Sequence, residues 1–158
     1  IETTGLSSQY AEITVIGMYL VNGSGSKMLQ LVGKEATKKN FLELLTGVGA
    51  IYTYNGSRFD LPFIHSSLGI DLQGLFAHHD LMHDCWRCKL YGGFKAVEQK
   101  LGIPRQTNGI TGWDAVLLWQ RYRRHGDRAA LDLLLQYNKE DVMNLKVLRE
   151  RLLLKQRF

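Results

Sequence analysis

Three acidic residues stand in well-marked local frames. Glu2 lies in Ile1-Glu2-Thr3-Thr4-Gly5-Leu6, Asp60 ends Tyr54-Asn55-Gly56-Ser57-Arg58-Phe59-Asp60, and Asp141 closes Tyr137-Asn138-Lys139-Glu140-Asp141. Brought together, three carboxylates are the hard oxygen donors that two divalent cations need to hydrolyse a phosphodiester. Each residue alone also has a plain reading. Glu2 is a terminal residue, Asp60 just before Pro62 suits a helix cap, and Asp141 can sit at the edge of an apolar stripe. That stripe is legible: Tyr137 and Asp141 are four apart and share a helix face with Leu134, Leu145, Leu148 and Leu152. A carboxylate in line with such a stripe is costly unless it is paired or bound to a metal.

The other candidate chemistry is weaker. Cys85 and Cys88 form a C-x-x-C pair near His78, His79 and His83. A structural zinc wants four ligands, usually from two separated pairs, and no second cysteine pair exists. A redox C-x-x-C opens a helix in a thioredoxin-like unit, which this pattern lacks. The expectation is two reduced, structural cysteines. The net charge of +5 suits a polyanionic partner without requiring one. Arg121, Arg123, Arg124 and Arg128 cluster, either as a nucleic-acid groove or as a solvated helix face. No apolar run approaches the roughly 20 residues that span a bilayer. Nothing at the N-terminus reads as a signal peptide, so the expected setting is cytoplasmic, with no membrane partner.

The elements that must position these residues follow from pattern. Ala11–Leu20, rich in β-branched residues, and Met28–Val32 read as strands joined across Asn22-Gly23-Ser24-Gly25. Asn40 with Glu43 predicts a helix start, and Gly47 its stop. Ala50–Tyr54 predicts a strand, Pro62–Leu68 a helix closed by Gly69, and Leu75–Met82 a further strand. Helices are expected over Phe94–Leu101, Trp113–Tyr122 and Arg128–Leu154. A leading strand must end at Ile1-Glu2. The order predicts a mixed α/β three-layer sandwich with a five-stranded sheet flanked by helices, the architecture of the ribonuclease-H-like fold.

Taken in order, the three frames resemble the exonuclease motifs of the DEDD superfamily, whose pattern is Asp-x-Glu-Thr-Thr-Gly-Leu, then Asn-Gly-x-x-Phe-Asp, then, in the tyrosine subclass, Tyr-x-x-x-Asp. The wider frames, with Val97-Glu98 through Leu101-Gly102-Ile103-Pro104-Arg105, look most similar to its YprB-like branch. The resemblance implies a 3′–5′ exonuclease acting on nucleic acid, at single-stranded 3′ ends. It implies two Mg²⁺ or Mn²⁺ ions held by Glu2, Asp60 and Asp141, with Tyr137 orienting the attacking water. It implies that Thr3, Thr4, Gly5 and Leu6 cradle the terminal nucleotide and that Asn55 and Phe59 help hold the strand, although Phe59 reads equally well as core. The family's first aspartate would stand directly before Ile1. The expectation is a single domain over residues 1–158 lacking its first residues, with that aspartate and a few apolar residues completing the first strand. A catalytically silent nucleic-acid-binding or interaction domain of the same fold stays open as the alternative.

Overall fold

In the computed structural model, which describes residues 1–157, the chain opens with a two-residue strand, β1 (Glu2–Thr3). A hairpin of β2 (Ile13–Asn22) and β3 (Gly25–Val32) follows. Its turn is fixed by Asn22 Oδ1, which accepts from the Ser24 N–H at 2.9 Å. After a 3-10 turn at Gly33–Glu35 comes α1 (Lys38–Leu44). Its cap is Thr37, whose side chain accepts from the Asn40 N–H. The expected cap, Asn40, lies inside the first turn, and its amide donates to the Glu35 carbonyl at 2.9 Å.

Next come β4 (Ala50–Thr53), α2 (Asp60–Leu68), the short α3 (Leu72–Leu75), β5 (Ala77–Asp80) and α4 (Leu81–Arg87). The strand expected over 75–82 is thus cut to four residues. Asp80 ends it by accepting from the Met82 N–H and capping α4. Helices α5 (Phe94–Leu101), α6 (Gly112–His125) and α7 (Arg128–Lys155) complete the fold. Helix α6 starts one residue before Trp113, in a capping box of Thr111 and Asp114.

The period of two along β2 sorts its side chains between two helical layers. Ile16 and Met18 pack with Phe41, Leu45, Leu61 and Ile64 of the α1–α2 side. Val15 packs with Leu118, Leu131, Leu134 and Tyr137 of α6 and α7. A third cluster, with Cys85, Val97, Leu148 and Leu152, joins α4 and α5 to the far half of α7. The fold is mixed α/β, as expected, but its strands hydrogen-bond in two pieces. The antiparallel ladder runs β1-β2-β3 and the parallel one pairs β4 with β5. Among the described residues no ladder joins them. The reason is local: β1 meets β2 only at Glu2↔Val15 and Thr3↔Ile13, with an irregularity between them. Two residues cannot also span the gap to β4. Among the described residues no helix is long and apolar enough to cross a membrane.

Gly17 sets the height of α7 above β2. A Cβ there would overlap the Asn138 carboxamide oxygen and come within 2.8 Å of Val142 Cγ2. Gly17→Ala is therefore expected to cost about 1–3 kcal/mol through overpacking, measured by urea unfolding. A loss below about 0.5 kcal/mol would mean that α7 is free to shift outward.

Candidate functional site

Glu2, Asp60 and Asp141 line one cleft of about 870 Å³ between β2, β4 and α7. Glu2 is placed by the β1–β2 register and is buried. Its Oε1 accepts from Asn138 Nδ2 at 3.1 Å. Burial pushes its pKa from the usual 4.5 up to about 7. The Ile1 ammonium opposes that rise, and the Asp141 charge adds to it.

Asp60 is the first residue of α2, not its cap. The N-cap position is Phe59, and no side chain caps the helix there. Asp60 is therefore free to turn into the cleft, where its Oδ1 accepts from the Ile1 α-ammonium at 2.7 Å. The loop before it is shaped by Asn55, which adopts a positive φ of 60°, a conformation Asn tolerates better than most residues. Asp80 then holds the loop from β5. Its carboxylate accepts from the Asn55 N–H at 2.8 Å, the Ser57 N–H at 3.1 Å and the Met82 N–H at 3.1 Å. Burial would raise the Asp80 pKa, but the Ser57 hydroxyl, which also donates to the carboxylate, and then those N–H bonds hold it below its usual value.

Asp141 projects from α7 and accepts from Arg105 Nη2 at 2.6 Å. Arg105 is itself buried, forked onto Glu98 through Nε and Nη2 at 2.9 Å each. Asn144 Nδ2 donates to the same Glu98 at 2.8 Å. Burial alone would lower the Arg105 pKa, but its bonds to Glu98 and Asp141 raise it, so it stays a cation. Glu98, Arg105, Asn138 and Lys95 are the functional candidates that sequence reasoning missed. The first three stood inside the quoted motif frames without an assigned role. Nothing in the sequence marked Lys95.

The remaining expected residues divide. The Tyr137 ring is buried in the α6–α7 cluster and is not on the cleft wall. Its hydroxyl accepts from Lys95 Nζ at 2.6 Å, and Lys95 does line the cleft. Burial, then the Asp141 and Glu2 charges, raise the tyrosine pKa, so the hydroxyl keeps its proton. Phe59 lines the cleft and packs on Phe63 at 5.6 Å between centroids. Thr3, Thr4, Gly5 and Leu6 lie outside it in a self-bonded loop. Thr3 Oγ1 donates to the Gly5 carbonyl at 2.7 Å, and Thr4 Oγ1 accepts from the Glu12 N–H at 2.9 Å. Leu6 is 89% exposed, its side chain free for an outside partner.

The arginines of α6 do not reach the cleft. Arg121 pairs with Asp127 at 2.6 Å, and Arg123 lies over the Trp119 ring. The cations on the cleft wall are Lys95, Lys146 and Arg149. The groove reading of the α6 cluster thus gives way to the solvated helix face. Cys85 and Cys88 are both free, and burial pushes the Cys85 thiol up to about 11.

Among the described residues no three His, Cys, Asp or Glu side chains are gathered closely enough to hold a metal ion as they stand. The Arg105 pair engages Asp141, and the ammonium engages Asp60. The donor chemistry nevertheless fits a hard divalent cation. Glu2, Asp60 and Asp141 present carboxylate oxygens to the same cleft, the ligand type such a cation takes.

The Glu2 pKa has a measurable consequence. A carboxyl raised from 4.5 to about 7 stabilises the fold below pH 4.5 and loses that contribution as pH rises through 7. Its ionisation costs on the order of 3 kcal/mol. Glu2→Gln is therefore expected to match the parent at pH 5 and to exceed its stability at pH 8.5, in urea unfolding at both values. Parallel stability–pH curves for the two proteins would disprove the assignment.

No curated protein and no solved structure matches the chain. The family model RNase_H_2, described as the RNase_H superfamily, matches residues 1–153. That match takes in every strand and all but the last residues of α7, and the chain belongs to the RNase H superfamily.

Proposed function

We propose that the protein is a metal-dependent 3′–5′ exonuclease that removes nucleotides from single-stranded 3′ ends, within one domain over residues 1–158. The superfamily points to nuclease-type activity on nucleic acid with divalent metal ions. The observation that carries the finer reading is the meeting of Glu2, Asp60 and Asp141, from three distant motifs, on one cleft wall. These three would hold two Mg²⁺ or Mn²⁺ ions. Such ions supply an activated water and neutralise the charge that develops on the phosphate and leaving oxygen.

The chain's own groups do the rest. Asn138 orients Glu2, and Arg105 orients Asp141. Tyr137 holds Lys95 at the cleft, where the ammonium can meet a substrate phosphate. Thr3 to Leu6, on the exposed loop beside β1, would contact the terminal nucleotide, with Leu6 as an apolar wedge. Asn55 and Phe59 would hold the strand from the loop before α2. The free thiols of Cys85 and Cys88 suit a reducing compartment such as the cytoplasm.

A second reading has its own support. Asp141 is neutralised by the buried Arg105, as a silent nucleic-acid-binding domain would tolerate. A single assay separates the two. Single-stranded oligonucleotides labelled at either end are incubated with Mg²⁺ or Mn²⁺ and the protein, with and without an aspartate joined ahead of Ile1. The exonuclease reading expects stepwise loss from the 3′ end that chelator abolishes. Tyr137→Phe should slow it about tenfold, the worth of one hydrogen bond. Binding without cleavage by both proteins would establish the silent domain instead.

A further inference from the structure

Trp86 of α4 lies outside the three core clusters and keeps 36% of its surface exposed. An indole left in water forgoes the stabilisation that burial would give it. Its neighbours are a cation and a second ring. The Arg58 guanidinium carbon stands 5.6 Å from the indole centroid, and the His83 ring meets the indole at 5.3 Å with the planes 57° apart. Arg58 and His83 are themselves exposed. Among the described residues Arg58 has no acidic partner, so its charge is open to an outside anion. Tyr10, Tyr91 and Trp113 are exposed too, but among the described residues no ring or cation stands over them.

One carboxylate fixes this pair beside the cleft. Asp80 caps α4, three residues before His83, and also accepts from the Asn55 and Ser57 N–H groups of the loop that leads to Asp60. The Ser57 hydroxyl adds a bond of 2.5 Å to the same carboxylate. The helix that carries Trp86 and the loop that carries Arg58 are therefore tied together at their starts. Arg58 is two residues from Asp60, so their Cα atoms are no more than about 7.6 Å apart. Phe59, between them, lines the cleft.

We propose that Arg58 and Trp86 form a stacking subsite for one nucleobase of a single strand, on the 5′ side of the bond to be cut. The polarity rests on the exonuclease reading. With the 3′ terminal nucleotide in the cleft, the strand that leaves past Asp60 is its 5′ part. Single strands are held by aromatic faces together with arginines. Every base has a π-face, so such a subsite grips without reading sequence. Arg58 keeps donors for the phosphate beside that base, and His83 braces the indole from the side.

The test is an abasic scan. A fluorescent single strand is bound in chelator, which keeps it whole, and its bases are removed one at a time, counted from the 3′ end. Affinity, read by anisotropy, should fall about tenfold at one internal position. Trp86→Ala should bind the intact strand about tenfold more weakly and lose nothing further at that position, since base and indole make the same contact. Trp86→Phe, which keeps a ring, should retain the step. Arg58→Ala, at an exposed loop position, should shrink the step at least twofold, and it decides the matter if circular dichroism shows Trp86→Ala unfolded. The proposal is overturned if the parent shows no internal step, if the step persists undiminished in Trp86→Ala, or if Arg58→Ala leaves it unchanged. Cleavage is read separately. A strand that is stacked but never cut would remove the exonuclease reading alone, and a strand that is cut without an internal step would remove the subsite alone.

Discussion

Replacing Asp141 by asparagine is expected to slow phosphodiester hydrolysis on the order of 10³-fold while the fold survives. The carboxylate would share in holding the metal ions, and loss of that charge forfeits several kcal/mol of transition-state stabilisation, at about 1.4 kcal/mol per decade of rate. The structural cost is small. Asparagine keeps an oxygen for Arg105 Nη2, and the Asp141 side chain is 30% exposed, so solvent screens the lost charge. A stability loss of about 1 kcal/mol is expected. Turnover of 3′-labelled single strands, read beside urea unfolding, checks both halves. Near-normal turnover in Asp141→Asn would remove Asp141 from the reaction.

The largest stability effect is expected one step further out. Arg105 and Glu98 are each 3% exposed in side chain and bonded at two points. Arg105→Ala would leave Glu98 buried with Asn144 as its remaining side-chain partner. Breaking a buried pair from one side costs about 3–5 kcal/mol, or roughly 10 °C in the unfolding midpoint for a chain of this size. The double change Glu98→Leu with Arg105→Met removes both charges and should recover most of that loss. If Arg105→Ala costs less than about 1 kcal/mol, the pair is not dry, and Asp141 is held by something else.

The candidate site divides into parts that were legible in the sequence and parts that were not. Glu2, Asp60 and Asp141 were found because each sits in a run whose neighbours are constrained by local geometry: the start of an extended strand, a loop turned by Asn55 into α2, and a helix face shared with Tyr137. Glu98 and Arg105 have no such local signature. One lies on α5, the other in the loop beyond it, and their meaning comes from α7 crossing over both. The same limit explains the fold. The β2–β3 hairpin, the Gly69 and Gly102 stops and the long α7 follow from local chemistry. The α1 cap was misplaced because Thr37 and Asn40 are both good caps, and only packing chooses between them. The end of β5 was misplaced because Asp80 serves three N–H groups from two segments, which no window on one segment contains. The α6 arginines could not be assigned to a groove or a face until α6 was seen apart from the cleft.

The bond between Asn138 Nδ2 and Glu2 Oε1 ties the first strand to the last helix. Its consequence lies in time. A ribosome adds residues at about 5–20 per second, so Glu2 leaves the exit tunnel on the order of ten seconds before Asn138 and Asp141 are even made. Until then Glu2 has no amide to hold it and no third carboxylate beside it. Acidic groups drawn from segments this far apart in the chain cannot meet on one cleft until α7 has been made.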